Sequence, residues 1–347
     1  MNLDGRNFVQ GFWRQHQKTF GIAVLLLGIF FFTGLKERTF WSAGAINETL
    51  RYTGLFGILA VAAAIVIATG GIDLSMGALV ALAGVMLPRA IMAGLQISVA
   101  GFTFFPQPIS PASAMLLVVV VALLIGLLHG LLITKLDLQP FLVTLCGLFI
   151  YRGFARIIAG NDSWGFENKF DVLRRLSTGN TLGLPTPLVI LLVLAVLTSI
   201  LLHRTVYGRA LLALGRNENA ARFSGIATNR IKIIAYILCA IITAFGGMMF
   251  VFKTNSAVAS NYGMSYELYA IAGAVLGGCS LRGGECSLAG VVLGAALVQF
   301  SQSAVLSLGV PDEYKFVVVG SFILVGVIVD EVMRRVAAAR RSQEGAT

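Results

Sequence analysis

Residues 52–94 read YTGLFGILAVAAAIVIATGGIDLSMGALVALAGVMLPRAIMAG. An apolar run to about residue 70 stops at Gly70-Gly71-Ile72-Asp73, and a second starts near Ser75 and ends near residue 94. Apolar runs of this length mark membrane-spanning helices. The two glycines break the helix, and Asp73 or Ser75 can cap the next one. An acid this close to a membrane is costly, which makes it a functional candidate. Capping is the favoured reading of Asp73, because a carboxylate at a helix N-terminus also suits the helix dipole.

The same pattern continues in both directions. Charges and breakers cut the chain into ten apolar segments, at 19–35, 52–70, 75–94, 112–134, 140–160, 187–203, 233–252, 267–279, 287–308 and 315–330. The eighth and tenth are short for a full span and read as tilted or re-entrant. The expected fold is an all-α polytopic membrane protein, with about ten transmembrane or re-entrant helices forming one domain over residues 1–347. An even number of spans puts both termini on one side. That side holds Arg6, Arg14, Lys18, Lys135, Arg204, Arg209, Arg216, Arg222, Arg230, Lys232, Arg282, Arg334, Arg335, Arg340 and Arg341. The opposite loops hold Lys36, Arg38, Arg51, Lys169, Arg174, Arg175 and Lys253, mixed with acids. The positive-inside rule therefore assigns both termini to the cytoplasm. Ala43-Gly44-Ala45 imitates a signal-peptidase site, but it lies beyond three charges after the first apolar run, so that run is kept as a helix.

Composition closes off other classes. Charged residues are 12% of the 347, about half of the roughly 25% usual for a soluble domain, and mean hydropathy is +0.86. Alternating ten-residue strands of an outer-membrane barrel are absent. The net charge of +10 follows from basic cytoplasmic loops and does not call for nucleic acid. Cys146, Cys239, Cys279 and Cys286 form no CxxC pair and read as small core residues. No phosphate loop, GxGxxG fingerprint, HExxH or GxSxG occurs, so neither nucleotide binding in a known way nor enzyme chemistry is expected of this chain.

Three further features carry information. Gly71–Leu87 and Gly277–Leu293 match at a fixed offset of 206, at Gly71/Gly277, Gly77/Gly283, Leu82/Leu288, Ala83/Ala289, Gly84/Gly290, Val85/Val291 and Leu87/Leu293. This points to two related halves, as in many transporters. Gly70, Gly71, Asp73, Ser75 and Gly77, with Gly277, Gly278 and Gly283, form the candidate helix-break and gate motif. The GxxxG pairs Gly126/Gly130, Gly273/Gly277 and Gly290/Gly294 are packing signals. Residues 204–230 are the longest polar-rich insert. Within it Asn217 or Asn219 can cap a short helix, Ala220 and Ala221 favour helix, and Gly225 suits its end. Such a helix can seat in a partner's groove, the alternative being an ordinary basic loop. His129, Arg152, Arg156, Glu267, Gln299, Ser301, Gln302 and Ser303 are polar residues within spans. They read as path-lining groups or as inter-helix hydrogen bonders.

The motifs IATGGIDLSMGALVALAG at 67–84, LDLQPFLVTL at 136–145, GRALLALGRNENAARFSGI at 208–226 and AGAVLGGCSLRGGECSLAG at 272–290 together resemble the permease subunits of bacterial ABC sugar importers, the ribose, xylose and galactofuranose type. The resemblance covers nearly the whole chain. It departs locally at Met76, at Glu285-Cys286 and in the charged loop at 161–175. It implies a multi-pass inner-membrane protein working as a homodimer, or with a closely related permease. Its implied partners are two cytoplasmic ATPase subunits that bind the ATP and a periplasmic sugar-binding protein. It implies too that Gly215, Asn217, Ala220, Ala221 and Gly225 belong to the segment coupling to the ATPase, with Ala220 and Ala221 near the partner surface. The substrate implied is a pentose or hexose. An amino acid or nucleoside importer, or an ATP-independent carrier, is the alternative. The purified chain alone should release no phosphate from ATP, since it lacks a phosphate loop. A malachite-green assay on the chain free of any ATPase subunit checks this.

Overall fold

The computed structural model describes residues 5–95, 97–99, 102–104, 107–160, 162–311 and 313–344, with side chains at 21–95, 107–160, 162–311, 313–328 and 331–332. The side chains of Arg6, Arg14, Lys18, Arg334, Arg335, Arg340 and Arg341, which carry the orientation of the termini, lie outside that set, as do the chain ends.

The chain is mostly helical. Helices α1 (Gly5–Lys36), α2 (Ala43–Ala68), α3 (Met76–Met92), α4 (Pro111–Lys135) and α5 (Pro140–Ala159) are followed by the short α6 (Asp171–Thr178). Then come α7 (Thr186–Arg204), α8 (Val206–Arg216), α9 (Glu218–Phe223), α10 (Thr228–Thr254), α11 (Tyr266–Leu276), α12 (Leu288–Ser307) and α13 (Tyr314–Glu344). Among the described residues α2, α4, α5, α7, α10 and α12 are long and apolar enough to cross a membrane. Gly21–Lys36, Met76–Met92, Tyr266–Leu276 and Tyr314–Ile328 are shorter apolar helices. Each apolar segment of the sequence is thus helical, and local chemistry sets the ends. Ser42, Ser110 and Ser287 accept the N–H of residues 45, 113 and 290 at the starts of α2, α4 and α12. Prolines at the first turn open α4, α5 and α7.

Two expectations change. The second helix starts at Ala43, not at residue 52, so Arg51 lies inside it rather than in a loop. Its guanidinium is buried, pairs with Glu48 at 3.3 Å and donates to the Ser177 and Gly179 carbonyls at 2.7 and 3.1 Å at the end of α6. These contacts together let an arginine lie buried within a mostly apolar helix. The loop at 161–175 holds a short strand and the start of α6, and the architecture is not wholly helical. Antiparallel pairs β1 (Ile97–Val99) with β2 (Phe102–Phe104), β3 (Ser163–Gly165) with β6 (Ser256–Val258), and β4 (Asn180–Thr181) with β5 (Leu184–Pro185) sit in the connections.

Helix α2 is the axis of the bundle. It touches α7, α10, α11 and α12 and is buried nearly all round from Leu55 to Ala68. One apolar cluster runs through the bundle from Leu55 to Ala295. Since lipid is as apolar as leucine, close backbone packing must hold these helices together. The GxxxG pairs supply it. Gly126 and Gly130 lie against the α10 backbone at Tyr236–Ile237 and Ile233. Gly273 and Gly277 of α11 lie against Gly294, Gly290 and Val291 of α12. A Cβ on Gly277 would stand 2.5 Å from the Val291 backbone. Gly290→Leu should therefore force α11 from α12 at a cost of about 2 kcal/mol or more. A drop of several degrees in the detergent melting midpoint, with no such drop for Gly153→Leu, where a side chain meets nothing, checks this.

Candidate functional site

The break between α2 and α3 is built from its own polar groups. Gly70 has φ +82°, a conformation that other residues rarely take. Gly70 N–H donates to Ile67 O at 2.8 Å, and Gly71 N–H is shared by Val66 O and the Thr69 hydroxyl at 3.3 Å each. Asp73 Oδ1 accepts the Ser75 N–H at 2.8 Å and the Ser75 hydroxyl at 2.7 Å. The Thr144 hydroxyl of α5 lies 3.3 Å from the Ile72 carbonyl and 2.9 Å from Pro140 O in its own helix, and can donate to either. Asp73 thus closes a turn ahead of α3, and Ser75, at the N-cap position, makes no side-chain cap bond. The capping role falls on Asp73, two residues before the N-cap's own N–H, and uses only one of its two oxygens.

The two breaks of the repeat meet, and the insert after α7 meets them. Gly284 N–H, between α11 and α12, donates to Ala68 O at the end of α2 at 2.9 Å. Gly283 faces Gly70 N and the backbone of Gly215, and Gly215 faces Ala68 O and Gly284 N. Gly283 and Gly284 carry positive φ, +87° and +78°. The end of α8 therefore lies in backbone contact with both breaks at one junction, where no Cβ fits. Gly278 (φ +92°) opens the second break, and its N–H donates to Val275 O at 2.9 Å. Arg282, in this loop, pairs with Glu331 of α13 at 2.9 Å.

Beyond the junction the insert folds as two helices, α8 and α9, with Asn217 between them. Asn217 Oδ1 accepts Ala220 N–H at 3.0 Å, and Gly225 ends the unit at φ +81°. Glu218 pairs with Lys232 at 2.7 Å and with Arg222 at 3.3 Å, holding α9 to the start of α10. Tyr207 of α8 reaches Ile231 O, and burial pushes its hydroxyl well above the ordinary tyrosine range. Ala220 is exposed, but Ala221 is buried in its own chain. A glutamate at 221 would thus be expected to disturb α9 itself. The exposed apolar feature is Phe223, 92% accessible at the end of α9. Sequence patterning gave no signal for it, because a single aromatic in a basic stretch has no periodicity.

Asp73 Oδ2 faces a second group of residues. His129 Nδ1 of α4 lies 3.9 Å away and Cys239 Sγ of α10 3.8 Å away. His129 Nε2 meets the Tyr151 hydroxyl of α5 at 2.9 Å. A Cβ on Gly71 would stand 2.6 Å from the Tyr236 hydroxyl of α10. The remaining candidates separate. Glu267 is buried at the start of α11 against Gly77, and its Oε2 has no hydrogen-bond partner. Arg152 donates to the Tyr262 and Gly263 carbonyls, and Arg156 to Ser260 O at 3.4 Å, so both clamp the 260–263 loop. Ser301 bonds within its helix to Leu297 O, and Ser303 meets Thr49 of α2 at 2.9 Å. Gln299 and Gln302 keep unpartnered buried Nε2 atoms. Among the described residues no group of three or more His, Cys, Asp or Glu could hold a metal ion.

A family model described as "Branched-chain amino acid transport system / permease component" matches residues 45–327. Three relatives are similar over most of their length. The ribose import permease protein RbsC of Escherichia coli K12 is 32% identical, covering 94% of this chain and 97% of its own. The fructose import permease protein FruG of Bifidobacterium longum is 32% identical, covering 82% of each. The galactofuranose transporter permease protein YtfT of Escherichia coli K12 is 32% identical over 88% of this chain and 87% of its own. No solved structure matches the chain.

The junction makes a prediction independent of activity. Gly215→Val should break the Gly284 N–H bond to Ala68 O, worth about 1 kcal/mol net. Amide exchange over 280–287 should speed about fivefold or more, while α4 stays unchanged. Hydrogen-exchange mass spectrometry reads both.

Proposed function

We propose, from the premise that the chain belongs to the branched-chain amino acid transport system / permease component family, that it is the membrane subunit of an ATP-binding-cassette importer and forms a path for a monosaccharide. The observation that carries this reading is the junction where α8 meets both helix breaks. A soluble ATPase holding α9 would act on the breaks through the backbone, with no flexible side chain between. The choice of a sugar rests on the ribose, fructose and galactofuranose permeases above. The family's printed description favours a second reading, a branched-chain amino acid.

In this proposal the chain is one permease domain in the inner membrane, with about ten spanning or re-entrant helices and cytoplasmic termini. The long α2, α4, α5, α7, α10 and α12 and the shorter apolar helices support it, as do the basic residues around α8 and α9. A second copy completes the path, ATP binds only to the partner ATPase subunits, and a periplasmic binding protein delivers the sugar. Glu267, Gln299 and Gln302, whose buried polar atoms have no hydrogen-bond partner within the chain, are the side chains suited to sugar hydroxyls. Phe223 enters an apolar pocket of the ATPase, and the exposed Arg222 and Arg230 match an acidic rim. A buried aromatic anchor of this kind contributes about 2 kcal/mol or more.

The test is uptake in the host after in-frame deletion of the gene, using labelled ribose, fructose, galactose and leucine. Loss of one sugar with leucine retained supports the sugar reading, and the reverse outcome supports the amino acid. Phe223→Ser should cut co-purification of the ATPase about thirtyfold and abolish uptake while the permease remains folded. Unchanged co-purification would remove Phe223 as the anchor.

A further inference from the structure

We infer that Asp73 and His129 form a proton-responsive latch that positions the 69–75 break, so that the freedom of this segment to move follows the charge on the histidine. This inference rests on reading the chain as an importer subunit.

The two partners belong to parts of different stiffness. Residues 70–75 form no helix and link α2 to α3. Their start lies at the junction with α8, where Gly70 approaches the Arg282 carbonyl. His129 stands on α4, held backbone-to-backbone on α10 by Gly126 and Gly130. The latch therefore ties the segment that α8 touches to a fixed wall.

The geometry leaves one interaction for the pair to make. Asp73 Oδ1 is committed to Ser75, while Oδ2, which accepts the Cys239 thiol at 3.8 Å, faces His129 Nδ1 at 3.9 Å, just beyond hydrogen-bond range. The imidazole is 1% exposed, and Nδ1 has no hydrogen-bond partner. Tyr151 holds Nε2 at 2.9 Å. A tyrosine hydroxyl donates to a neutral imidazole and accepts from a protonated one, so the ring can gain a proton without losing this bond. When it does, Nδ1–H presents a full charge to Asp73 in a site of low dielectric.

Other groups around the pair are accounted for. Tyr151 comes from α5, and Tyr236 and Cys239 from α10, with Cys239 Sγ 3.8 Å from Oδ2. Glu267 of α11 lies across the first turn of α3 at Gly77, and Arg152 beyond it is bonded to the 262–263 carbonyls. Among the described residues no Lys or Arg pairs with Asp73, so His129 is its sole source of positive charge at contact distance. Histidine is also the side chain that ordinarily changes charge between about pH 5 and 8. Acid should close the latch and slow the segment, and alkali should release it.

The experiment reconstitutes the permease with its ATPase and binding protein in liposomes, buffered alike on both faces. Wild-type sugar uptake should fall several-fold from about pH 7 to about pH 5. His129→Gln and Asp73→Asn should each flatten this profile near its alkaline level, and Tyr151→Phe should shift its midpoint. A purely structural role would lower uptake equally at every pH. Hydrogen exchange over 69–75 in the purified permease, corrected for the intrinsic pH dependence, should follow the same order and needs no transport. A flat wild-type exchange profile, or His129→Gln with the wild-type pH dependence, would overturn the latch. Absent uptake with the expected exchange profile would instead count against the importer reading and leave the latch standing.

Discussion

Backbone groups released from a helix inside an apolar bundle must find partners, because an unsatisfied N–H or C=O there costs several kcal/mol. The break at 69–75 is where this constraint is most severe. Its solution draws in four other elements: the Thr144 hydroxyl of α5 lies beside the Ile72 carbonyl, Gly284 takes the Ala68 carbonyl, and Gly215 and Tyr236 close over the glycines. Each partner is needed at a fixed place, so α5, α8, α10 and the second break are positioned by the requirements of the first. The glycines follow from the same cause. Carbonyls and amides approach so closely at 70, 215 and 283 that side chains are excluded on both faces.

Charge is handled by the same rule. Arg51 donates to the carbonyls ending α6, and Arg152 to those of the 262–263 turn. Arg51 also pairs with Glu48 at 3.3 Å, so an acid one turn earlier in its own helix shares the charge with the carbonyls. Asp73 is different. One oxygen is satisfied locally and the other turns toward α4 and α10. That asymmetry separates a structural cap from a group whose interaction depends on the state of its neighbour.

Much of this was legible in the sequence. Apolar run length located the helices, Asn217 capped its helix as its residue type demanded, and all three GxxxG pairs lie at helix contacts. What could not be read were meetings across long separations. The offset of 206 related Gly71 to Gly277, yet nothing in it told that Gly284 would bond to Ala68 or that Gly215 would fill the gap between them. Arg51 was misplaced because charge was taken as a loop marker, while the carbonyls that offset it lie more than a hundred residues away. Ala221 was placed near a partner surface by resemblance and small size, and nothing in the sequence told that its side chain would be buried within the chain.

The placement of the junction bears on how force could travel. A long side chain between α8 and the breaks would absorb displacement in its rotamers, as exposed lysines and arginines do. Backbone contact has no such slack, and packed interiors transmit strain because they compress little. Glu218 and Lys232 stiffen the other end, tying α9 to α10. Helix α10 also packs along α2, α3 and α4 and carries Tyr236 and Cys239 beside the first break. Displacement of α9 therefore reaches residues 69–75 by two routes, through Gly215 directly and through α10 from the side.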